Sequence, residues 1–179
     1  MHLRNVGRMC RYLSLDATKS LVHGLVTSRL DYCNVVLNGL PSSTLLRLQR
    51  VQNTAARIIT QTRKREHITP VLRNLHWLPI KRRIQYKVAL HTFRALHNEA
   101  PKYITDMLEV YTPGRTLRSQ NGMNLVIPRT RTVSYGDRSF RVSGPKLWNS
   151  LPVQLRQVEK IGTFRRALKT HLFRQEYDQ

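Results

Sequence analysis

The sequence predicts a mainly α protein, with a helical bundle to about Thr112 followed by a small α+β segment that holds a short strand pair and a C-terminal helix. Three observations predict this fold class. Apolar residues recur at steps of three and four through most of the chain before Thr112, as on one face of a helix. Prolines stand where helices are predicted to start or end. Leu, Ile, Val and Phe together exceed a quarter of the 179 residues, above the roughly 20% of highly charged disordered chains, so a hydrophobic core is available.

The first helix is predicted from about Leu15 to Leu40, where apolar side chains keep helical spacing. Ser14 or Asp16 can cap its start, because both side chains accept hydrogen bonds from unpaired backbone N–H groups. Pro41 is predicted to end the helix, since proline lacks the N–H group that would continue it.

A second helix is predicted to follow, capped by Ser42 or Ser43, with an apolar stripe between Leu45 and Ile59. Successive helical residues turn by about 100°, so basic residues fall on the opposite face, and a basic run follows the helix directly. These residues are Arg47, Arg50, Arg57, Arg63, Lys64 and Arg65. One face is thus predicted to pack and the other to be cationic.

Two further helix starts are predicted, at Thr69-Pro70 and after Pro79, the second for a longer helix to about Asn98. This longer helix is apolar over much of its circumference, which is typical of a buried helix. Three basic residues with spacings of four and seven lie between its apolar arcs, namely Arg83, Lys87 and Arg94. We therefore expect one narrow exposed basic strip on a packed helix. A short helix from about Pro101 to Val110 completes the bundle.

The composition changes at Thr112-Pro113-Gly114, a turn signal. It predicts a boundary between a helical region, residues 1–112, and a small basic C-terminal segment, residues 113–179.

In the second segment, Leu125–Ile127 and Arg129–Val133 are predicted as two short strands, and Pro128 confines them to a sheet edge or a bulge. Thr163 is the predicted cap of the last helix, which runs to about Gln175. The basic candidates of this segment are Arg129, Arg131, Arg138 and Arg141.

The chain lacks the residue patterns that catalysis or cofactor binding would need. Polymerases and nucleases that use two metal ions require converging carboxylates, but only Asp106 and Glu109 share a helical spacing, which is an ordinary helix face. No glycine-rich phosphate loop occurs, and Cys10 and Cys33 lie far apart without a zinc-site spacing. The sequence therefore predicts no catalytic residue, no metal, no cofactor and no small-molecule substrate.

The sequence also predicts an intracellular protein without a membrane partner. No apolar run approaches the roughly 18 residues of a membrane span, and the N-terminus has no signal-peptide stretch. Two cysteines are too few for a disulfide framework.

The charge balance is extreme, with 31 Lys and Arg against 10 Asp and Glu and a net charge of +21. Such a surface repels itself unless a polyanion or salt neutralises it, so nucleic acid is the predicted partner and the basic residues named above are its predicted binding residues. Aromatic rings interleaved with them could stack on unpaired bases: Tyr86, Phe93, Tyr135, Phe140 and Trp148. Core packing is the alternative for each ring, and it is favoured for Trp148.

Five strings stand in order along the chain: Ser28–Asn34, Leu48–Asn53, His76–Pro79, Arg115–Ser119 and Leu147–Pro152. In this order they resemble the C-terminal, thumb and post-thumb, region of reverse transcriptases from LINE-type, non-LTR retrotransposons. The resemblance spans nearly the whole chain. It implies a parent RNA-directed DNA polymerase with an endonuclease and a palm that carries a Tyr or Phe-x-Asp-Asp motif.

This chain has no such motif, since no two acidic residues are adjacent. The resemblance therefore implies a non-catalytic piece that retains nucleic-acid contact and is not an enzyme in isolation. The partners it implies are RNA or an RNA–DNA hybrid and the catalytic part of a reverse transcriptase, and the location it implies is the nucleus or the cytoplasm.

Two other interpretations stay open. In one, the basic face docks on an acidic protein, and the chain is a protein-interaction module. In the other, the chain is the translated relic of a degraded element and has no selected activity.

Overall fold

The protein is mainly helical, as predicted. The computed structural model describes residues 3–112, 123–132 and 135–178. Its α-helices are α1 (Leu3–Met9), α2 (Leu15–Val22), α3 (Ser28–Asp31), α4 (Ser42–Thr60), α5 (Thr69–Asn74), α6 (Ile80–Leu96), α7 (Lys102–Thr105), α8 (Phe140–Ser150), α9 (Val153–Arg156) and α10 (Ile161–Tyr177). Shorter helical turns are the 3-10 turns Cys10–Tyr12 and Asn34–Leu37 and the π turn His23–Thr27. Among the described residues, no helix has the length and apolar character that a membrane crossing requires.

Two compact units make up the chain, Met1–Arg83 and Ile84–Gln179. The division falls within α6, whereas the sequence predicts a boundary at Pro113, which lies outside the described residues. An antiparallel bridge joins Val110 to Leu125. Residues before and after the predicted boundary therefore belong to the second unit.

The predicted first helix, Leu15–Leu40, is wrong beyond Asp31. α2 continues through the π turn into α3, and there the helix ends. The reason lies in the backbone of the next two residues: Tyr32 is extended (φ −67°, ψ 122°) and Cys33 is left-handed (φ 50°). Neither conformation continues a right-handed helix.

One of the predicted helix caps is confirmed and two are wrong. Thr163 does not cap the last helix, because α10 begins at Ile161 and has no side-chain cap. The hydroxyl of Ser14 accepts a hydrogen bond of 3.3 Å from the backbone N–H three residues later, so Ser14 caps α2. Neither Ser42 nor Ser43 caps α4, which has no side-chain cap. The helix instead follows Pro41, whose carbonyl accepts a hydrogen bond of 3.0 Å from the Thr44 N–H.

The first unit has its core between α1, α2, the π turn and α4. The buried residues of this cluster are Val6, Cys10, Val22, Val26, Ala55 and Ile59. Since α1 and α4 each turn one side to this core, basic residues on their other sides stay exposed, among them Arg8 and Arg50.

Three aromatic rings form the centre of the second unit. Phe93 of α6 stacks on Phe164 of α10 with ring centroids 4.3 Å apart, and Trp148 of α8 lies 5.8 Å from Phe164. None of the three is exposed to solvent. α8 also approaches α6 closely at Gly144, where a Cβ atom would meet the hydroxyl of Thr92 at 3.1 Å. The predicted core packing of Trp148 is confirmed.

The predicted pairing of Leu125–Ile127 with Arg129–Val133 is not found among the described residues, which exclude Val133. Leu125 bridges Val110 instead. On its other edge, the Leu125 N–H donates to Asn149 Oδ1 (2.9 Å), and its carbonyl accepts from Asn149 Nδ2 (2.8 Å). The side-chain amide thus occupies the two backbone groups that a second strand would need.

Candidate nucleic-acid interface

Asp31, in the first of the five strings, forms an ion pair with Arg83 in the first turn of α6. Arg83 Nε donates to Asp31 Oδ1 at 2.8 Å, and Arg83 Nη2 lies 2.5 Å from Asp31 Oδ2. Only 16% of the Arg83 side chain and 29% of the Asp31 side chain are exposed. Arg83 is therefore engaged within the first unit, and it is not part of the exposed basic strip that the sequence predicts.

The second and third strings meet at the start of α6. Gln52, which is 1% exposed, donates through Nε2 to the Leu78 carbonyl at 2.9 Å. Gln49 Oε1 accepts the N–H of Ile80 at 2.9 Å, and Gln49 Nε2 donates to Asn53 Oδ1 at 2.8 Å. Because the first N–H groups of a helix have no partner within it, Gln49 caps α6 from a distant helix. These strings therefore have a structural role.

The last of the five strings, Leu147–Pro152, also has a structural role, in the second unit. Trp148 Nε1 donates to the Met123 carbonyl at 2.8 Å. Nearby, the buried Arg156 donates through Nε to the Leu151 carbonyl at 3.0 Å and through Nη1 to Asn124 Oδ1. Burial lowers the pKa of Arg156 from its ordinary value. The remaining string, Arg115–Ser119, lies outside the described residues.

A cationic groove lies beside α4 in the first unit. It consists of two adjoining depressions of about 460 and 680 Å³, which share Arg57, Ile58 and Thr62. Its basic lining residues are Arg11, Arg50, Arg57 and Lys64. No acidic side chain of the described residues lines either depression. We call this surface the α4 groove. Cations that face a groove without counter-charges create a local positive potential, which favours an anionic ligand.

Arg57 positions the basic turn beside this groove. Its Nη1 donates to the Arg63 carbonyl and its Nη2 to the Glu66 carbonyl, both at 2.8 Å. The turn closes through the Arg63 N–H, which donates to Glu66 Oε1 at 3.0 Å. Arg63, Lys64 and Arg65 are exposed on it. Arg57, predicted as a surface contact, is half-buried and fixes the position of its cationic neighbours.

The other predicted basic residues before Thr112 differ in accessibility. Arg47 is exposed on α4 but does not line the α4 groove. Lys87 and Arg94 are half-buried on α6. They flank His91, whose pKa is lowered chiefly by burial and further by the charges of Arg94 and Lys87. These two residues belong to the second unit, whereas the cations of the α4 groove belong to the first.

In the second unit, Arg129, Arg131 and Arg141 are exposed and Arg138 is half-buried. A compact loop carries most of them. Thr130 donates a hydrogen bond to Asp137, which lowers the pKa of that carboxyl, and Lys146 Nζ lies 3.6 Å from Asp137 Oδ2.

Gly136 is required by the same loop. A Cβ atom there would lie 2.7 Å from the Thr132 carbonyl oxygen. No side chain larger than hydrogen fits without movement of the backbone.

The aromatic candidates divide into core and surface. Phe93 and Trp148 are buried, so they are not available for stacking on bases. Tyr86 and Phe140 are half-buried, and Tyr135 is 81% exposed.

Sequence reasoning missed the basic face of α1 and the turn that follows it. Arg4, Arg8 and Arg11 are exposed, and Arg11 lines the α4 groove. Tyr12, the next residue, is 91% exposed. A signal was present in the sequence, because spacings of four and three place the three arginines on one helix face, opposite the buried Val6.

Within the described ranges, no cluster of His, Cys, Asp or Glu could hold a metal ion. Comparisons with protein-family models, with curated proteins and with solved structures find no match to this chain. Fold and surface therefore define a mainly helical protein with a cationic groove in its first unit.

Proposed function

We propose that the chain binds nucleic acid by neutralising backbone phosphates in the α4 groove. The observation that carries the proposal is the convergence of Arg11, Arg50, Arg57 and Lys64 on one groove that no acidic side chain of the described residues lines. Arg11 and Arg50 offer a planar guanidinium that can contact a phosphate through two N–H groups, while Arg57 holds the basic turn that carries Lys64. Phosphate contacts carry no sequence information, so we expect limited sequence readout.

The proposed parent is a LINE-type reverse transcriptase, of which this chain is a non-catalytic C-terminal piece that contacts RNA or an RNA–DNA hybrid. The five strings and their order support this proposal. Residues of these strings also hold the fold together through an ion pair, a helix cap and buried hydrogen bonds, namely Asp31, Gln49, Gln52 and Trp148. We expect such roles if the chain keeps the fold of its proposed parent.

A double substitution in the groove tests the proposed contact. We expect Arg50→Gln with Lys64→Gln to weaken binding of oligonucleotides of unrelated sequence by roughly tenfold, because two exposed charge contacts of up to about 0.7 kcal/mol each are removed. Fluorescence anisotropy with labelled RNA at low salt measures this change.

The matched control is Arg29→Gln with Lys81→Gln. Both residues are exposed cations of the first unit that do not line the α4 groove, so the control has the same net charge. The proposal predicts a change below about twofold for the control. If both double variants weaken binding equally, binding depends on the overall charge of the protein, which would contradict a role for the groove. Binding of polyglutamate as tight as that of RNA would favour an acidic protein partner instead.

A further inference from the structure

Tyr12 comes directly after Cys10 and Arg11, which line the α4 groove, and its backbone is anchored. It ends the 3-10 turn Cys10–Tyr12, in which Cys10 is 7% exposed and belongs to the core of the first unit. Arg11, between them, lines the groove. The Cys10 carbonyl accepts the Leu13 N–H at 3.4 Å, which closes the turn. The backbone of Tyr12 is thus held beside a buried neighbour, while 91% of the residue faces solvent.

An exposed aromatic residue that follows a groove-lining cation in the chain suits one form of nucleic acid in particular. Base-paired duplexes hide the faces of their bases inside the stack, whereas an unpaired strand presents them for stacking on an aromatic side chain. Arginine and lysine side chains neutralise the phosphates of either form. The ring therefore adds a contact that only an unpaired strand can use.

We infer that the α4 groove takes an unpaired nucleic-acid strand, with phosphates against Arg11, Arg50 and Lys64 and one base stacked on Tyr12. This inference rests on the proposed function and narrows its ligand. Stacking is tolerant of sequence because every base has a π face, so the strand is selected by its unpaired state.

Tyr12→Ala in the full chain tests the inference, with Tyr32→Ala as the matched control. Tyr32 is 79% exposed in the same unit, and neither of its chain neighbours lines the groove. A labelled single strand and a duplex of equal length serve as probes in anisotropy titrations. We expect Tyr12→Ala to weaken binding of the single strand by about fivefold or more, and binding of the duplex by less than about twofold. Tyr12→Phe should bind as the wild type does, since the ring is retained.

The possible outcomes distinguish the stacking role of Tyr12 from the proposed binding of nucleic acid in the α4 groove. If Tyr12→Ala leaves single-strand affinity unchanged, or weakens both probes equally, the stacking role is overturned while the groove proposal stands. If Tyr32→Ala has the same effect as Tyr12→Ala, the effect is unrelated to the groove and the inference is also overturned. If neither probe binds the wild-type chain, the proposed function fails, and this inference fails with it. A circular dichroism melt of Tyr12→Ala should match the wild type, because an exposed ring contributes little to folding.

Discussion

Trp148→Ala is expected to destabilise the protein by about 3–5 kcal/mol, the cost typical of removing a buried aromatic side chain. Trp148 is fully buried, packs 5.8 Å from Phe164 and donates its Nε1–H to the Met123 carbonyl. The substitution removes the ring contacts and leaves a cavity and an unpaired carbonyl. In a thermal melt followed by circular dichroism, this corresponds to a loss of roughly 10 °C in Tm.

Trp148→Phe separates packing from hydrogen bonding. It keeps an aromatic ring against Phe164 and loses only the Nε1 donor and part of the volume, so we expect a smaller loss of about 1–2 kcal/mol. A Tm for Trp148→Ala within about 2 °C of the wild type would contradict the position of this residue in the core. A broad, non-cooperative transition of the wild type would favour the interpretation of the chain as a degraded relic.

Asp31→Ala should lower the free energy of unfolding by about 2–3 kcal/mol. It leaves Arg83, whose side chain is 16% exposed, without its counter-charge. Removal of one partner from a fully buried ion pair costs roughly 3–5 kcal/mol, and the partial exposure of this pair reduces that cost. Urea unfolding of the variant measures the change.

The double variant Asp31→Ala with Arg83→Met provides the check. Because it removes both charges, it should recover part of the stability that Asp31→Ala loses. If the free-energy changes of Asp31→Ala and Arg83→Met, each measured alone, simply add up in the double variant, the ion pair makes no specific contribution to stability. The structural role assigned to Asp31 in the first string would then be wrong.

Local signals were sufficient for the long helices. α4 and α6 carry apolar stripes over many turns, and a proline precedes each, so the sequence predicts both. The sequence does not predict contacts between residues that are distant along the chain. Gln49 caps α6 from α4, and Asp31 meets Arg83, 52 residues later. Periodicity and composition report neither contact, because both depend on tertiary packing.

The predicted end of the first helix, at Leu40, is wrong for a different reason. The apolar spacing continues past Tyr32, yet the backbone turns away there through the left-handed Cys33. A left-handed cysteine is uncommon, since residues other than glycine, Asn and Asp rarely adopt this conformation. Nothing in the local sequence signals it.

The candidate site was predicted in part. Helical spacing predicts Arg50 on the outer face of α4, and the basic run after the helix predicts Lys64. Both residues are exposed as expected. Charge and helical spacing also select Arg57 and Arg83, but their guanidinium groups bind a backbone turn and a carboxylate of the first unit. Surplus charge predicts that a cationic surface exists. Which arginines belong to it depends on the hydrogen bonds that the fold imposes.

The salt dependence of oligonucleotide binding tests the central claim most directly. If Arg11, Arg50 and Lys64 each contact a phosphate of an unpaired strand, the logarithm of the association constant falls with the logarithm of sodium chloride concentration with a slope of roughly −2. The Arg50→Gln, Lys64→Gln variant should show a slope shallower by about 1.5. A wild-type affinity that stays constant from low to high salt would contradict binding through the cations of the α4 groove.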